Sequence, residues 1–219
     1  MCGRFTLTTE LTEFARKLGV KYDRSKFSPR YNIAPTQTVY IIPNDGNNAM
    51  IQARWGIKPA WAGESSTLLT NARAEGIESK PSFRVPFKKQ RCLILADGFF
   101  EWKSLTELKI KQPWYFRLTS KEVFAFAGIW EKSKDDKGVE TLTCCIITTE
   151  ANSIVAKIHH RMPVIVQERF QRIWIKAEQT IERLKACLDS EPAENMEKYP
   201  VSSLVNKAQN ESPDCIKPI

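Results

Sequence analysis

The sequence predicts an α+β fold, a single domain in which helices flank a mainly antiparallel, barrel-like β core. Strand-like segments come in runs and do not alternate strictly with helices, which argues against a parallel α/β sheet. A length of 219 residues fits one large domain and suffices to bury a hydrophobic core. No apolar run reaches the roughly 18 residues of a membrane-spanning helix, so we expect no contact with a membrane.

The first element is an amphipathic helix. Its apolar side chains recur at the helical spacing; they are Leu11, Phe14, Ala15 and Leu18. Thr8 or Thr9 can cap its start, and Gly19 suits its end.

Strands follow. Residues 38–42 and 49–55 predict a hairpin about the turn cluster 43–48, and residues 133–138 form a similar polar turn. Further strands are predicted at residues 92–96, 114–118, 123–130 and 142–148. Near the C-terminus the pattern predicts helices at residues 167–175 and 180–188 and a short strand at residues 200–205. Without repeats or a linker, residues 1–219 are predicted to form one domain.

The six cysteines do not indicate a disulfide framework. Cys144 and Cys145 are adjacent, so on a strand they point to opposite faces, and Cys92 and Cys187 lie in apolar runs typical of buried thiols. No secretory signal is present, which predicts a cytoplasmic protein in a reducing compartment. There is no Cys-x-x-Cys and the two histidines are neighbours, so we expect no metal.

A basic balance favours a polyanionic partner such as nucleic acid. The formal net charge is +8, from 33 Lys and Arg against 25 Asp and Glu. Residues 71–91 carry a local excess of positive charge; the cations are Arg73, Lys80, Arg84, Lys88, Lys89 and Arg91. A solvated basic face with no partner is the alternative.

Cys2 stands directly behind the initiator methionine, and a small second residue permits removal of Met1. Cys2 would then carry both a free α-amine and a thiol, which titrate near ~7.7–8 and ~8.5 in model compounds. Such an aminothiol condenses with an aldehyde, first to an imine and then to a five-membered thiazolidine ring. The alternative is a small residue at position 2 by chance.

Residues at four other places can support chemistry. Asn71 and Arg73 face the same side of an extended segment and can hold a carbonyl and a phosphate, although a surface loop is the alternative. Glu101 follows two phenylalanines and precedes Trp102, and desolvation there would raise its pKa toward neutrality. The alternative for Glu101 is an exposed position on an aromatic strand.

The two histidines and two tryptophans complete the candidates. On an extended segment His159 would share a side with Arg161, while His160 would face the other way. One histidine can act as a proton donor, and a structural or surface pair is the alternative. Trp61 lies in a loop-like stretch and can stack on an unpaired base, whereas Trp55 is expected in the core.

Taken together and in order, these motifs resemble the SOS response-associated peptidase family (the SRAP domain) over almost the whole chain. The motifs are Met1–Phe5, Tyr31–Thr36, Arg54–Gly56, Asn71–Glu75, Ala96–Trp102 and His159–Pro163. Pro200–Ser202 and Val205–Asn206 also fit. Leu95 and His160 depart from the family pattern, which often has proline and an acidic residue there.

The resemblance implies a fold with a two-sheet, barrel-like core and a function as a sensor of abasic sites in single-stranded DNA. The N-terminal cysteine would link to the ring-opened sugar aldehyde as a thiazolidine, and this crosslink would shield the lesion from strand scission. It also implies peptidase removal of Met1 and lyase-type activity, with no cofactor. We expect a cytoplasmic monomer that associates with the nucleoid when bound to DNA.

Roles follow from the same resemblance. Cys2 would be the covalent nucleophile, Asn71 would hold the sugar or aldehyde oxygen, and Glu101 would shuttle protons. His159 would assist near the lesion phosphate and in crosslink reversal, with the adjacent His160 leaving open which histidine acts. The DNA-binding residues would be Arg4 and Arg73 at phosphates, Pro35 and Trp61 against bases, and Trp102 and Arg161.

Two other functions remain open from the sequence. Cys2, with its α-amine as base and Asn71 as oxyanion donor, also fits an N-terminal-nucleophile cysteine peptidase or amidohydrolase. A single-stranded DNA-binding module in which Cys2 is incidental is the third possibility.

Overall fold

Twelve strands and four α-helices make up the described chain. The computed structural model describes residues 2–58, 68–105, 111–134 and 139–219. In chain order the elements are β1 Phe5–Leu7, α1 Thr12–Leu18, β2 Arg30–Ile33, β3 Thr38–Pro43, β4 Ile51–Trp55, β5 Asn71–Arg73, α2 Arg84–Lys89, β6 Arg91–Ala96, β7 Gly98–Ser104, β8 Lys111–Leu118, β9 Phe124–Lys134, β10 Glu140–Glu150, β11 Arg161–Pro163, α3 Glu168–Trp174, α4 Ile181–Ala186 and β12 Met196–Pro200.

Five strands close into a barrel. They pair in the order β10-β4-β3-β6-β9, and β9 returns to β10 along a seven-residue antiparallel register. The pairings within this barrel are antiparallel except between β10 and β4, which run parallel. β5 and β11 add to β10, so this long strand joins the barrel to the region of the Asn71 and His159 motifs.

The second sheet is fully antiparallel and has the order β12-β8-β7-β1-β2. Phe5 of β1 lies opposite Phe99 of β7, and its ring packs between both sheets, 5.1 Å from the Trp55 ring and 5.6 Å from the Phe126 ring. The α+β class with two sheets and a barrel-like core is therefore confirmed, as is the core position of the fully buried Trp55.

The start of α1 differs from its predicted capping. The helix begins at Thr12 with no side-chain cap at Leu11, and Gly19 ends it in the left-handed conformation, as predicted. Thr8 and Thr9 instead donate their backbone and hydroxyl groups to the carboxylate of Asp97. A buried carboxylate from a distant segment outcompetes the local cap because it accepts several charge-assisted hydrogen bonds at once.

Two other predictions about the chain were wrong. The last strand, β12, ends at Pro200, and residues 203–206 form a 3₁₀ turn capped by Ser202. Arg91 does not contribute to a basic surface, because it is fully buried. Its guanidinium donates to five carbonyl oxygens at the ends of α2 and α3; they belong to Phe87, Lys88, Trp174, Lys176 and Ala177.

Within the residues that the structure describes, no helix combines the length and the apolar character needed to cross a membrane.

Candidate active site at the junction of the two sheets

Cys2 lies where the two sheets meet, just ahead of β1. Its side chain is fully buried, and its backbone carbonyl accepts a 2.9 Å hydrogen bond from Nδ2 of Asn71 on β5. On the other side, the Phe100 amide of β7 donates to the Arg4 carbonyl at 3.0 Å. Both sheets therefore fix the backbone that carries the thiol, and the structure brings residues 2 and 71 together.

The Cys2 thiol is held in its neutral form. Burial raises the pKa of Cys2 far above that of a free thiol, and the nearby carboxylate of Glu101 raises it further. The thiol Sγ lies 3.9 Å from the Arg4 carbonyl, a weak contact with a backbone acceptor. This thiol therefore needs a proton acceptor before it can act as a nucleophile.

Glu101 provides a group able to take and return a proton. It lies in the middle of β7, only 3 % exposed, and opposite Trp114 of β8. Burial raises the pKa of Glu101 to about 7. Both protonation states are therefore populated at neutral pH, which is the condition for general acid–base work and confirms the predicted desolvation.

Asn71 is positioned by its strand. β5 runs parallel to β10, with Asn71 opposite Ile146 and Arg73 opposite Thr148. Ala72 is buried while Arg73 is exposed, so the side chains alternate as predicted. Nδ2 of Asn71 also contacts Thr70 Oγ1 at 3.1 Å, whereas its Oδ1 is buried without a hydrogen-bond partner among the described residues. Because buried polar atoms normally have a hydrogen-bond partner, this oxygen is available to accept a hydrogen bond from a bound ligand.

The two histidines do not alternate. Their rings stack with centroids 4.5 Å apart, because residues 151–160 form turns and not a strand. His159 is half-buried, and its Nδ1 accepts a 3.0 Å hydrogen bond from the Arg161 amide, whereas His160 is exposed. Burial lowers the pKa of His159, and the charge of His159 lowers that of His160.

Arg161 is held by protein groups. Both of its terminal nitrogens lie 2.8 Å from the carboxylate of Glu75, and Nη2 also donates to the Thr148 carbonyl at 2.6 Å. Its side chain is 8 % exposed. The structure thus places Arg161 in a bidentate ion pair that ties residues 151–160, the histidine turn, to the segment just after β5.

Arg4 has a different environment, with neutral acceptors. Its Nη1 donates to Asn32 Oδ1 at 2.7 Å and to the Val205 carbonyl at 2.6 Å. Nε is buried without a partner among the described residues, and burial lowers the pKa of Arg4. The guanidinium lies 6.0 Å from the Trp102 ring, and the Trp102 indole donates to Asn206 Oδ1 at 2.7 Å.

Asn32 and Asn206 are supporting residues that sequence reasoning did not single out. Asn32 Nδ2 donates to three carbonyl oxygens of the C-terminal segment, at Val205, Lys207 and Asn210. Both asparagines lie in motifs that carry the family resemblance, and those motifs could have pointed to them. Their supporting role, however, depends on contacts between distant parts of the chain.

The remaining predicted DNA-binding residues are dispersed. Arg73 is exposed beside His160, whose pKa its charge lowers, and Pro35 is half-buried in the turn between β2 and β3. Trp61 lies outside the described residues. Over the described ranges, no three His, Cys, Asp or Glu side chains gather closely enough to hold a metal ion.

Comparison with known proteins gives consistent results. The family described as SOS response associated peptidase (SRAP) matches residues 1–208. The chain is 41 % identical to the abasic site processing protein YoqW of Bacillus subtilis (strain 168), over 99 % of both chains. It is 30 % identical to the abasic site processing protein HMCES of Gallus gallus, over 89 % of this chain and 67 % of that protein.

Solved structures share the fold. A crystal structure of a protein from Bacteroides thetaiotaomicron superposes with a TM-score of 0.88 at 27 % identity and covers 100 % of both chains. A phage-related protein from Bordetella bronchiseptica superposes with a TM-score of 0.77 at 28 % identity, over 92 % of this chain and 95 % of that one.

Proposed function

The chain belongs to the SOS response-associated peptidase family, and we propose that it processes abasic sites in single-stranded DNA by capturing them covalently through Cys2. One observation supports this proposal above the others. The residue that can become an N-terminal aminothiol accepts a hydrogen bond from Asn71, and it lies close enough to Glu101, whose pKa is about 7, for that carboxylate to raise the pKa of the thiol. We further propose that the protein acts as a cytoplasmic monomer and needs no cofactor.

The reaction begins after Met1 is removed. The α-amine of Cys2 attacks the C1 aldehyde of the ring-opened sugar, giving a carbinolamine that loses one water molecule to form an imine. The thiol then adds to the imine carbon, its proton passes to the nitrogen, and a thiazolidine ring results. Overall two bonds to one carbon form and one water leaves, so the adduct weighs protein plus DNA minus water.

Glu101 serves both halves of this sequence. As a carboxylate it takes the proton that the attacking amine loses, and as an acid it donates to the departing hydroxyl. It can then accept the proton of Cys2, whose raised pKa would otherwise keep the thiol neutral. A carboxyl group with a pKa of about 7 can play both parts at neutral pH.

Asn71 and His159 act on the sugar side. The Oδ1 atom of Asn71 accepts a hydrogen bond from a sugar or carbinolamine hydroxyl, which satisfies an acceptor that has no partner among the described residues. We assign the role near the lesion phosphate and in crosslink reversal to His159 and not to His160. The Arg161 amide fixes the orientation of the His159 ring, whereas His160 is exposed. Burial lowers the pKa of His159, so its neutral ring can accept a proton during reversal.

Arg4, Arg73 and Trp102 bind the strand. Arg4 is held by neutral acceptors, so its positive charge is left for a phosphate. Trp102 presents a ring for stacking next to it. Arg161 acts by a different route in this proposal, because Glu75 already neutralises it: the pair positions the turn that carries His159.

An amidohydrolase is the weaker reading of the same residues. It requires a reactive thiol and a donor for the oxyanion, but burial and Glu101 oppose ionisation of Cys2, and the Asn71 amide donates to the Cys2 carbonyl.

Intact-protein mass spectrometry tests the proposal. We expect wild-type protein without Met1 to form a heat-stable adduct, of protein plus DNA minus water, with a single-stranded oligonucleotide that carries one abasic site. Cys2→Ser should lose the stable adduct and keep non-covalent binding, while Cys187→Ser, a matched change at another buried thiol, should behave as wild type. Equal adduct yields from Cys2→Ser and wild type would refute the mechanism.

A further inference from the structure

We propose that Lys103, Lys157 and Lys198 form a separate anion subsite, which binds a phosphodiester group of the strand that flanks the abasic nucleotide. This inference rests on the proposed function, since it names where the rest of that substrate lies. Lys103 belongs to β7, Lys157 to the histidine turn and Lys198 to β12.

The sheet places Lys198 on the same face as Glu101. Lys198 lies opposite Phe116 of β8, and Glu101 lies opposite Trp114, two residues earlier in that strand. Residues two apart on a strand share a face, as do residues directly opposite one another. Only β8 separates the two strands, so at a spacing of about 4.8 Å per strand their backbones lie roughly 10 Å apart.

The ammonium group of Lys198 is fixed at a defined point. Nζ donates a 3.0 Å hydrogen bond to the Ile154 carbonyl, lies 5.0 Å from the Trp114 ring centre and 5.9 Å from that of Phe116. Its aliphatic stem therefore packs on aromatic surface while the charged end is held between the sheet and residues 151–160. A charge held in this way loses little further conformational entropy when it binds an anion.

The surrounding charges are of the same sign. Lys103 shares the face of Glu101 on β7, and Lys157 is exposed on the histidine turn. Burial lowers the pKa of Lys198, and the ammonium groups of Lys157 and Lys103 lower it further. In the described part of the chain, none of the three forms an ion pair with a carboxylate, whereas Lys185 pairs with Glu78.

A phosphodiester suits this arrangement. The charges of Lys103 and Lys157 repel that of Lys198, as the lowered pKa of Lys198 reflects, and an anion bound among them removes that repulsion. Lysine binds phosphate as a point charge, without the fixed fork of arginine, so the subsite would recognise the backbone and not the bases. The only repeated anion in the proposed substrate is its backbone phosphate.

The test measures non-covalent affinity for an oligonucleotide carrying a tetrahydrofuran analogue of the abasic site, which has no aldehyde. Lys198→Met keeps the aliphatic contact and removes the charge, while Lys198→Arg keeps the charge. We expect Lys198→Met to lower the salt dependence of log K by about 0.7 and the affinity about fivefold at 0.1 M salt. Lys198→Arg and Lys176→Met, a change at an exposed lysine after α3, should stay near wild type.

Single methylphosphonate substitutions locate the phosphate. Neutralising the contacted phosphate should weaken wild-type binding, and should weaken Lys198→Met and Lys157→Met by less, because each variant has already lost one of the three cations. The exposed position of Lys157 makes misfolding a poor explanation for its result. If Lys198→Met and Lys176→Met have equal affinities and salt slopes, or if no single phosphate couples to Lys198, the subsite is refuted. Adduct formation with aldehyde-bearing DNA reports separately on the proposed function.

Discussion

Asp97 and Glu101 are two carboxylates of one short segment, and the structure uses them in opposite ways. Both are buried, with 5 % and 3 % exposure. The Asp97 carboxylate accepts five hydrogen bonds from β1 and the segment that follows it; the donors are Thr6 Oγ1 and the amide and hydroxyl of both Thr8 and Thr9. The dominant influence on Glu101 is burial, which raises its pKa to about 7 beside Cys2.

The difference shows what separates a carboxylate that stabilises the fold from one that can exchange a proton. Five hydrogen bonds satisfy the buried side chain of Asp97 and tie β1 and the threonines after it to the link between β6 and β7, so its burial contributes to the fold. Burial disfavours the charged form of Glu101, so above neutral pH the folded protein is less stable than it would be with a neutral side chain at this position. The same shift leaves the group able to gain or lose a proton near neutral pH. Exposure alone would not distinguish the two residues.

Replacing Glu101 should have the largest effect. Glu101→Gln should slow adduct formation by about 10²-fold or more, because it removes the proton shuttle. The wild-type rate should peak near pH 7, because the carboxylate form of Glu101 is lost below that pH and the acid form above it, and this pH dependence should vanish in the variant. Single-turnover kinetics with aldehyde-bearing DNA across pH 5–9 would measure it.

The same variant should be more stable. The folded pKa of about 7 exceeds the reference value of 4.5, so the stability linked to this group is complete below pH 4.5 and is lost as pH rises through 7. Glu101→Gln should therefore gain up to about 3 kcal/mol at pH 8 and little at pH 4. Glu131→Gln is the matched control, because burial also raises the pKa of Glu131, on β9. The rate at which this variant forms the DNA adduct should equal that of the wild type.

Replacing Asp97 should break the fold and spare the chemistry. Asp97→Asn puts an amide donor among groups that are already donors, which should cost about 2–4 kcal/mol in urea unfolding at pH 7. The rate of adduct formation per folded molecule should stay within about twofold, since Asp97 does not reach Cys2. Asp45→Asn, in the exposed turn between β3 and β4, should change stability by less than about 0.5 kcal/mol. A large loss of rate in folded Asp97→Asn would contradict the division between the two acids.

The smallest effect is expected at the support of Trp102, the next residue in β7 after Glu101. Asn206→Ala removes the acceptor of the Trp102 indole and should weaken binding of single-stranded DNA about threefold to tenfold, by releasing a stacking platform worth about 1–3 kcal/mol. Fluorescence anisotropy would measure it, with Asn47→Ala in an exposed turn as control. Unchanged affinity would show that Trp102 does not stack on DNA.

Strands that carry long apolar runs were predictable from the sequence, whereas the short strands were not. The strands β3, β4, β6, β9 and β10 overlap the predicted ranges because their own side chains carry the pattern. β1 has only three residues and exists because β7 and β2 pair with it from distant parts of the chain. For the same reason the predicted last strand lay too late, since β12 is defined by its register with β8.

The sequence by itself determined the fold class, the inert buried thiols and the residues able to do chemistry, because these depend on periodicity and on residue type. Only the tertiary structure decided which of them act together. It brought Cys2 to Asn71, committed Arg161 to Glu75 and stacked the two histidines. It also set the pKa of Glu101, since desolvation depends on everything packed around a group and not on its neighbours in the chain.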